Sequence, residues 1–104
     1  MPNIKFSFLY RDAANYKTFG EVVFANPENL PLASIRQTIV DACNADQNFE
    51  PVRWGIPNIR TQPYHPDLDH DWFEFENVEE TEEGSTILMD VTEWLVWVKA
   101  NPLR

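Results

Sequence analysis

Residues 4–11, IKFSFLYR, place Ile4, Phe6, Phe8 and Tyr10 on one side of an extended chain and Lys5, Ser7 and Leu9 on the other. That period of two is the mark of a half-buried β-strand. After a polar connection, residues 19–25 are rich in Val and Phe and stop at Asn26-Pro27, so a second strand pairs antiparallel with the first. Residues 71–79, DWFEFENVE, set Phe73 and Phe75 against Glu74 and Glu76 and predict a third strand. The turn ETEEGS follows, and residues 86–89 offer a short fourth strand.

Helical spacing separates these runs. Pro31 suits the first turn of a helix, and Leu32, Ile35, Ile39 and Cys43 recur at steps of three and four, predicting a helix over 31–44 on one face of the sheet. Asp90 with Glu93 resembles a capping box in which Asp replaces Ser or Thr, and Val91, Trp94, Leu95 and Val98 fit the i, i+3, i+4, i+7 template. A strand competes for that segment, because the run from Trp94 to Val98 has high β propensity. Helix is the favoured reading of 90–100. On it, Val96 and Trp97 fall outside the buried stripe, so a second apolar surface needs cover from the long loop or from another subunit.

Residues 45–70 contain Pro51, Pro57, Pro63 and Pro66 with little periodicity, so they read as an irregular segment anchored to the core by Trp54-Gly55-Ile56-Pro57. A segment of that length in a small domain is functional or packed as a lid. The expected fold class is therefore α+β: an antiparallel sheet of three or four strands packed by two helices, in the order ββα, loop, β(β)α. One domain over residues 1–104 suffices, since 104 residues with 43% hydrophobic and 13% aromatic content can bury a core without disulfides or metal.

One cysteine, Cys43, excludes an internal disulfide and fits a reducing compartment; its place in the helical stripe predicts a buried, inert thiol. The start MPNIKFSFLY lacks the apolar run of a signal peptide, and no stretch approaches the ~20 apolar residues of a membrane span. Cytoplasm is the expected location. The net charge of −9 is unevenly placed. Residues 1–60 carry six acids and six bases, whereas residues 61–98 carry eleven acids and no Lys or Arg. Such a chain is repelled by nucleic-acid backbones and anionic lipid, so direct binding to either is disfavoured, while a protein partner with a basic surface is electrostatically suited. A homo-oligomer is also compatible.

Two polar clusters are candidate sites. Between the first two strands lie Tyr10, Arg11, Asp12, Asn15, Tyr16 and Lys17, which combine a planar cationic fork, turn-forming side chains and amphipathic rings suited to holding an anionic group or a peptide. The simpler alternative is an ordered connection in which Asp12 pairs with Arg11 or Lys17. The second cluster runs from His65 to Asp71; His65, Asp67, Asp69 and His70 are its metal-ligand candidates, of a type that suits zinc, manganese or iron. It matches neither the calcium-loop pattern nor HExxH.

The run FLYRDAANYKTFGEVVF, with WGIP and DHDWFEFEN further on, resembles a family of small bacterial proteins across nearly the whole chain. The family pattern has Gly where this chain has Ala14, and the resemblance implies no activity and assigns no functional residue. Three glycines leave no room for GxGxxG or a Walker loop, and no GxSxG elbow is present. No cofactor is expected. The leading expectation is a non-catalytic acidic module that binds another protein. The alternatives are a small metal-dependent enzyme using the His65 to Asp71 segment and an inhibitor whose acids mimic nucleic acid. The acidic run Glu79, Glu80, Thr81, Glu82, Glu83 is expected to be a solvated loop.

Overall fold

The N-terminal alternation folds as β1 (Asn3–Arg11), and its partner is β2 (Lys17–Phe24). Helix α1 (Leu32–Ala42) follows, then a two-residue strand β3 (Asn48–Phe49), a short 3-10 helix (Pro51–Trp54), β4 (Phe73–Thr81) and helix α2 (Val91–Ala100). The structure is a computed structural model that describes residues 2–11, 17–56 and 72–103. The strands form one antiparallel sheet in the order β2-β1-β4-β3, and with the two helices they make an α+β fold.

Side chains of Ile4, Phe6, Phe8 and Tyr10 join Val22, Phe24, Phe73, Phe75 and Val78 in one buried cluster with Ile35 and Ile39 of α1 and Trp94 of α2. Both helices therefore lie on this inner face. Strict alternation along β4 would turn Asn77 inward after Phe75. Instead the register shifts: Phe8 pairs with Phe75 but Ser7 pairs with Asn77, leaving Glu76 as the extra residue of a β-bulge. The bulge returns Val78 to the core and spares the cost of burying an amide there.

Helix, not strand, forms over Val91–Ala100. Asp90 Oδ1 accepts a hydrogen bond from the Glu93 amide at 2.9 Å, satisfying a donor that the helix itself leaves open. Val91, Trp94, Leu95 and Val98 are buried, as the helical template predicts. Trp94 stacks on Phe24 at 4.4 Å and donates its indole N–H to the Trp54 carbonyl at 2.8 Å. Trp54 in turn donates to the Asn101 carbonyl at 2.9 Å, so the 3-10 helix and the end of α2 are bonded to each other through two buried rings. Gly55 closes that 3-10 helix at φ 70°, a conformation that L side chains rarely adopt. The anchoring role expected of Trp54 and Ile56 is borne out, since both are buried; Pro57 lies outside the described residues.

The fourth strand is β3, and residues 86–89 do not form one. Thr86 makes a single strand-like exchange with β2, in which its hydroxyl accepts from the Val23 amide and its own amide donates to the Val23 carbonyl, both at 2.9 Å. Four residues later Asp90 must cap α2, and the chain bends away before a second pair can form. The segment still closes the free edge of β2 at Val23. The open edge of β4 is covered differently: Arg36 of α1 donates to the Val78 carbonyl at 2.9 Å and to Asn77 Oδ1 at 3.1 Å. Among the described residues no helix is long and apolar enough to cross a membrane.

Candidate functional site

The face of the sheet turned away from both helices is set by the register. In β1 it carries Lys5, Ser7, Leu9 and Arg11; opposite them in β2 stand Val23, Glu21, Phe19 and Lys17, and in β4 Glu79, Asn77 and Glu74. Leu9 and Val23 are buried without belonging to the core cluster, which places them on this second side. Phe19, opposite Leu9, remains 59% exposed. Ser7, Phe19, Gly20, Glu21 and Glu76 line a depression of about 170 Å³. That is below the roughly 300–1,000 Å³ of ordinary small-molecule sites.

Two cations on this face are engaged by its own carboxylates. Arg11 holds Glu74 through Nε at 2.9 Å and Nη2 at 3.4 Å, a bidentate bridge between residues distant in sequence. Lys5 bonds Glu83 and lies 3.8 Å from Glu21. The hydrogen bond to Glu83 raises the Lys5 pKa, opposed by desolvation and aided by the charges of Glu21, Glu83 and Glu79. Reciprocally, bonds from Lys5 and then from Thr81 hold the Glu83 carboxyl below its ordinary pKa. Asn3 also donates to the Glu83 carbonyl at 2.9 Å. The run expected as a solvated loop is therefore largely structured: Glu79, Glu80 and Thr81 belong to β4, and Glu83 is clasped against β1. Among the described residues no ion pair involves Glu76, Glu79, Glu80 or Glu82.

The first candidate cluster divides. Tyr10 points into the core, 4% exposed, with its ring edge-on to Phe73 at 5.6 Å. Arg11 lies on the opposite face in the bridge to Glu74, and Lys17 sits across the ladder from it, exposed. Asp12, Asn15 and Tyr16 lie outside the described residues, and so do the metal-ligand candidates His65, Asp67, Asp69 and His70. Among the described residues no group of three or more His, Cys, Asp or Glu is placed to hold a metal ion. Cys43 is buried, and burial pushes its thiol up to about 12, which keeps it protonated and unreactive.

Sequence reasoning missed Phe19 as a surface residue and Arg11–Glu74 as a pair. The signal for Phe19 is the hairpin register itself, which sets it opposite Leu9 on the side away from Phe8. No family model matches the chain, and neither a curated protein nor a solved structure matches it.

Proposed function

We propose that this protein is a non-catalytic binding module that presents the outer face of its sheet to a protein with a basic surface. The observation that carries the reading is Phe19, an exposed ring set beside Glu21 and Glu76 on a face where Lys5 and Arg11 are engaged by carboxylates and Lys17 stands at the far end of the hairpin. An aromatic ring supplies contact area at the centre of an interface, and surrounding carboxylates select the sign of the partner and speed the encounter. Nucleic acid and anionic membranes are poor partners for such a face on the same electrostatic grounds.

The test is capture from the source cell on immobilised protein, followed by binding kinetics with each purified partner. A partner of this face is basic, binds more slowly as salt rises, and is lost when Phe19→Ala and Glu76→Gln are introduced together. A partner that binds this double variant with unchanged affinity defeats the proposal.

A further inference from the structure

The exchange between Thr86 and Val23 fixes which way the backbone of β2 faces. The Val23 amide donates to the Thr86 hydroxyl and its carbonyl accepts from the Thr86 amide, so both groups point away from β1. Successive residues of an antiparallel strand turn their backbone groups alternately to one side and the other. The β1–β2 register runs from Arg11↔Lys17 to Ile4↔Phe24 without a shift, so Glu21, Phe19 and Lys17 also turn amide and carbonyl away from β1. Strand β2 ends the sheet, and among the described residues no hydrogen bond meets these groups. A row of unpaired backbone groups is a template for another strand. On the far side of the sheet β3 and Arg36 cover β4, whereas residues 17–21 of β2 have no such cover, no proline and no bulge.

The side chains of the same three residues select the occupant. Lys17, Phe19 and Glu21 are all exposed on the outer face. Laid antiparallel against itself, this row is its own complement. With Phe19 opposite Phe19 of a second copy, Lys17 stands opposite Glu21 at both ends, and each pair exchanges both backbone bonds. A slide of two residues either way sets Phe19 against a charge instead, and Thr86 stops the ladder at Val23. Among the described residues Lys17 makes no ion pair, while Glu21, 3.8 Å from Lys5, keeps its side chain 55% exposed for a second cation. A uniformly basic peptide on this edge meets Lys17 as a like charge; a second copy meets it with a carboxylate. The net charge of −9 does not prevent the pairing. In the order β4-β1-β2-β2-β1-β4 the two acidic β4 strands lie about 24 Å apart at about 4.8 Å per strand, beyond a Debye length of about 8–10 Å at moderate salt.

We propose that two copies of this chain join edge to edge through residues 17–21 of β2, antiparallel about a two-fold axis at Phe19, into one continuous sheet. This goes beyond the binding reading above and does not depend on it: the joined sheet sets two Phe19 rings side by side on one outer face, and no basic protein enters the test. Sedimentation of the full chain across a wide concentration range shows a monomer–dimer equilibrium. Amide hydrogen exchange at Lys17, Phe19 and Glu21 slows as concentration rises, whereas the amides of Thr18 and Gly20 are already protected by β1. Phe19→Pro removes an amide that the β1 ladder does not use, so the single copy keeps its fold. It weakens the dimer at least about tenfold more than Phe19→Ala does, through loss of one hydrogen bond from each copy. Thermal melts of both variants at low concentration separate lost association from lost folding. Glu21→Lys and Lys17→Glu each weaken the dimer about fourfold, two exposed pairs at about twofold apiece, and the double exchange restores it. That exchange decides the matter even where Phe19→Pro fails to fold. A chain that stays monomeric at every concentration overturns the proposal, as does a dimer whose Lys17, Phe19 and Glu21 amides stay unprotected or one indifferent to the charge exchange.

Discussion

On the inner face of the sheet Phe6 packs against Phe75 at 5.7 Å and Trp94 at 4.9 Å, with no solvent exposure. On the outer face Phe19, in the neighbouring strand, is more than half exposed among carboxylates. The same residue type thus has different work on the two sides. Inside, each ring is held by others and removes water from the strands. Outside, one ring has few neighbours and the adjacent groups are charged. The contrast separates what stabilises the fold from what is free to meet a partner.

The sharpest way to break that comparison is to remove one ring from each side. Trp94→Ala deletes the ring that stacks on Phe24 and leaves the Trp54 carbonyl without its donor. Its expected cost is about 3–5 kcal/mol, a large share of the stability of a small domain. Phe19→Ala is expected to change stability by no more than about 0.5 kcal/mol. Urea unfolding of the two variants measures the difference directly. Similar costs would mean that the outer face is a second core. Deleting residues 90–104 is the extreme form of the inner change, and a truncated chain with an unchanged cooperative melt would sink the architecture.

An intermediate effect belongs to Asn26, a buried polar side chain at the exit of β2. Its amide donates to the Leu30 carbonyl at 3.1 Å and its Oδ1 accepts from the Leu30 amide at 2.9 Å, bracing the turn into α1. Asn26→Ala leaves both backbone groups to find water. A loss of about 1–3 kcal/mol is expected by denaturant titration. Asn26→Asp keeps the acceptor but not the donor, so it should fall between the two.

The clasp on the outer face predicts a pH signature whose sign follows from its shifts. Glu83 is held below its ordinary value of 4.5, so its contribution is complete above that pH and disappears as pH falls through the lower folded value. Lys5 is held above 10.5, so its contribution is complete below that pH and is lost as pH rises through the higher folded value. Between these limits the clasp is constant. Melting temperatures of the native chain and of Glu83→Gln should therefore differ by a fixed small amount at neutral pH and converge in acid. A difference that persists fully in strong acid would show that Glu83 acts through packing and not through its charge.

Much of the fold is legible in local pattern, because β1, β2, β4 and both helices each repeat a period long enough to see. The bulge at Glu76 is not legible, since a one-residue insertion becomes visible only against the partner strand. Nor is β3, whose two residues carry no period. Residues 86–89 have strand composition, and the demand for a cap at Asp90 overrides it. At the site, alternation already sends Tyr10 inward with Phe6 and Phe8, so its recognition chemistry never reaches the surface. Arg11 and Glu74 meet only through the β1–β4 register, which no short motif encodes.

The smallest effect on stability should come from the carboxylates in and just after β4 that form no ion pair among the described residues. Glu76, Glu79, Glu80 and Glu82 are that set, so Gln at all four positions removes charge without breaking a salt bridge, Glu79 losing only its longer-range attraction to Lys5. Stability should move by no more than about 0.5 kcal/mol for each exposed change, and upward where like charges had crowded. Association with a basic partner should respond differently. Charges at this distance act over roughly a Debye length, about 8–10 Å at moderate salt, and their influence is spent before the surfaces touch. The four-Gln variant is therefore expected to bind more slowly, with its on-rate less dependent on salt, and to dissociate at nearly the original rate. Phe19→Ala should show the reverse, an unchanged on-rate and a faster off-rate, because a ring at the centre of a contact governs residence. Glu83 is kept out of the set because its removal breaks the bond to Lys5 and mixes structure with steering. Stopped-flow association at low and moderate salt distinguishes the two behaviours. If the four-Gln variant associates at the native rate throughout, the acidic residues serve solubility alone and the contrast between the faces reduces to burial.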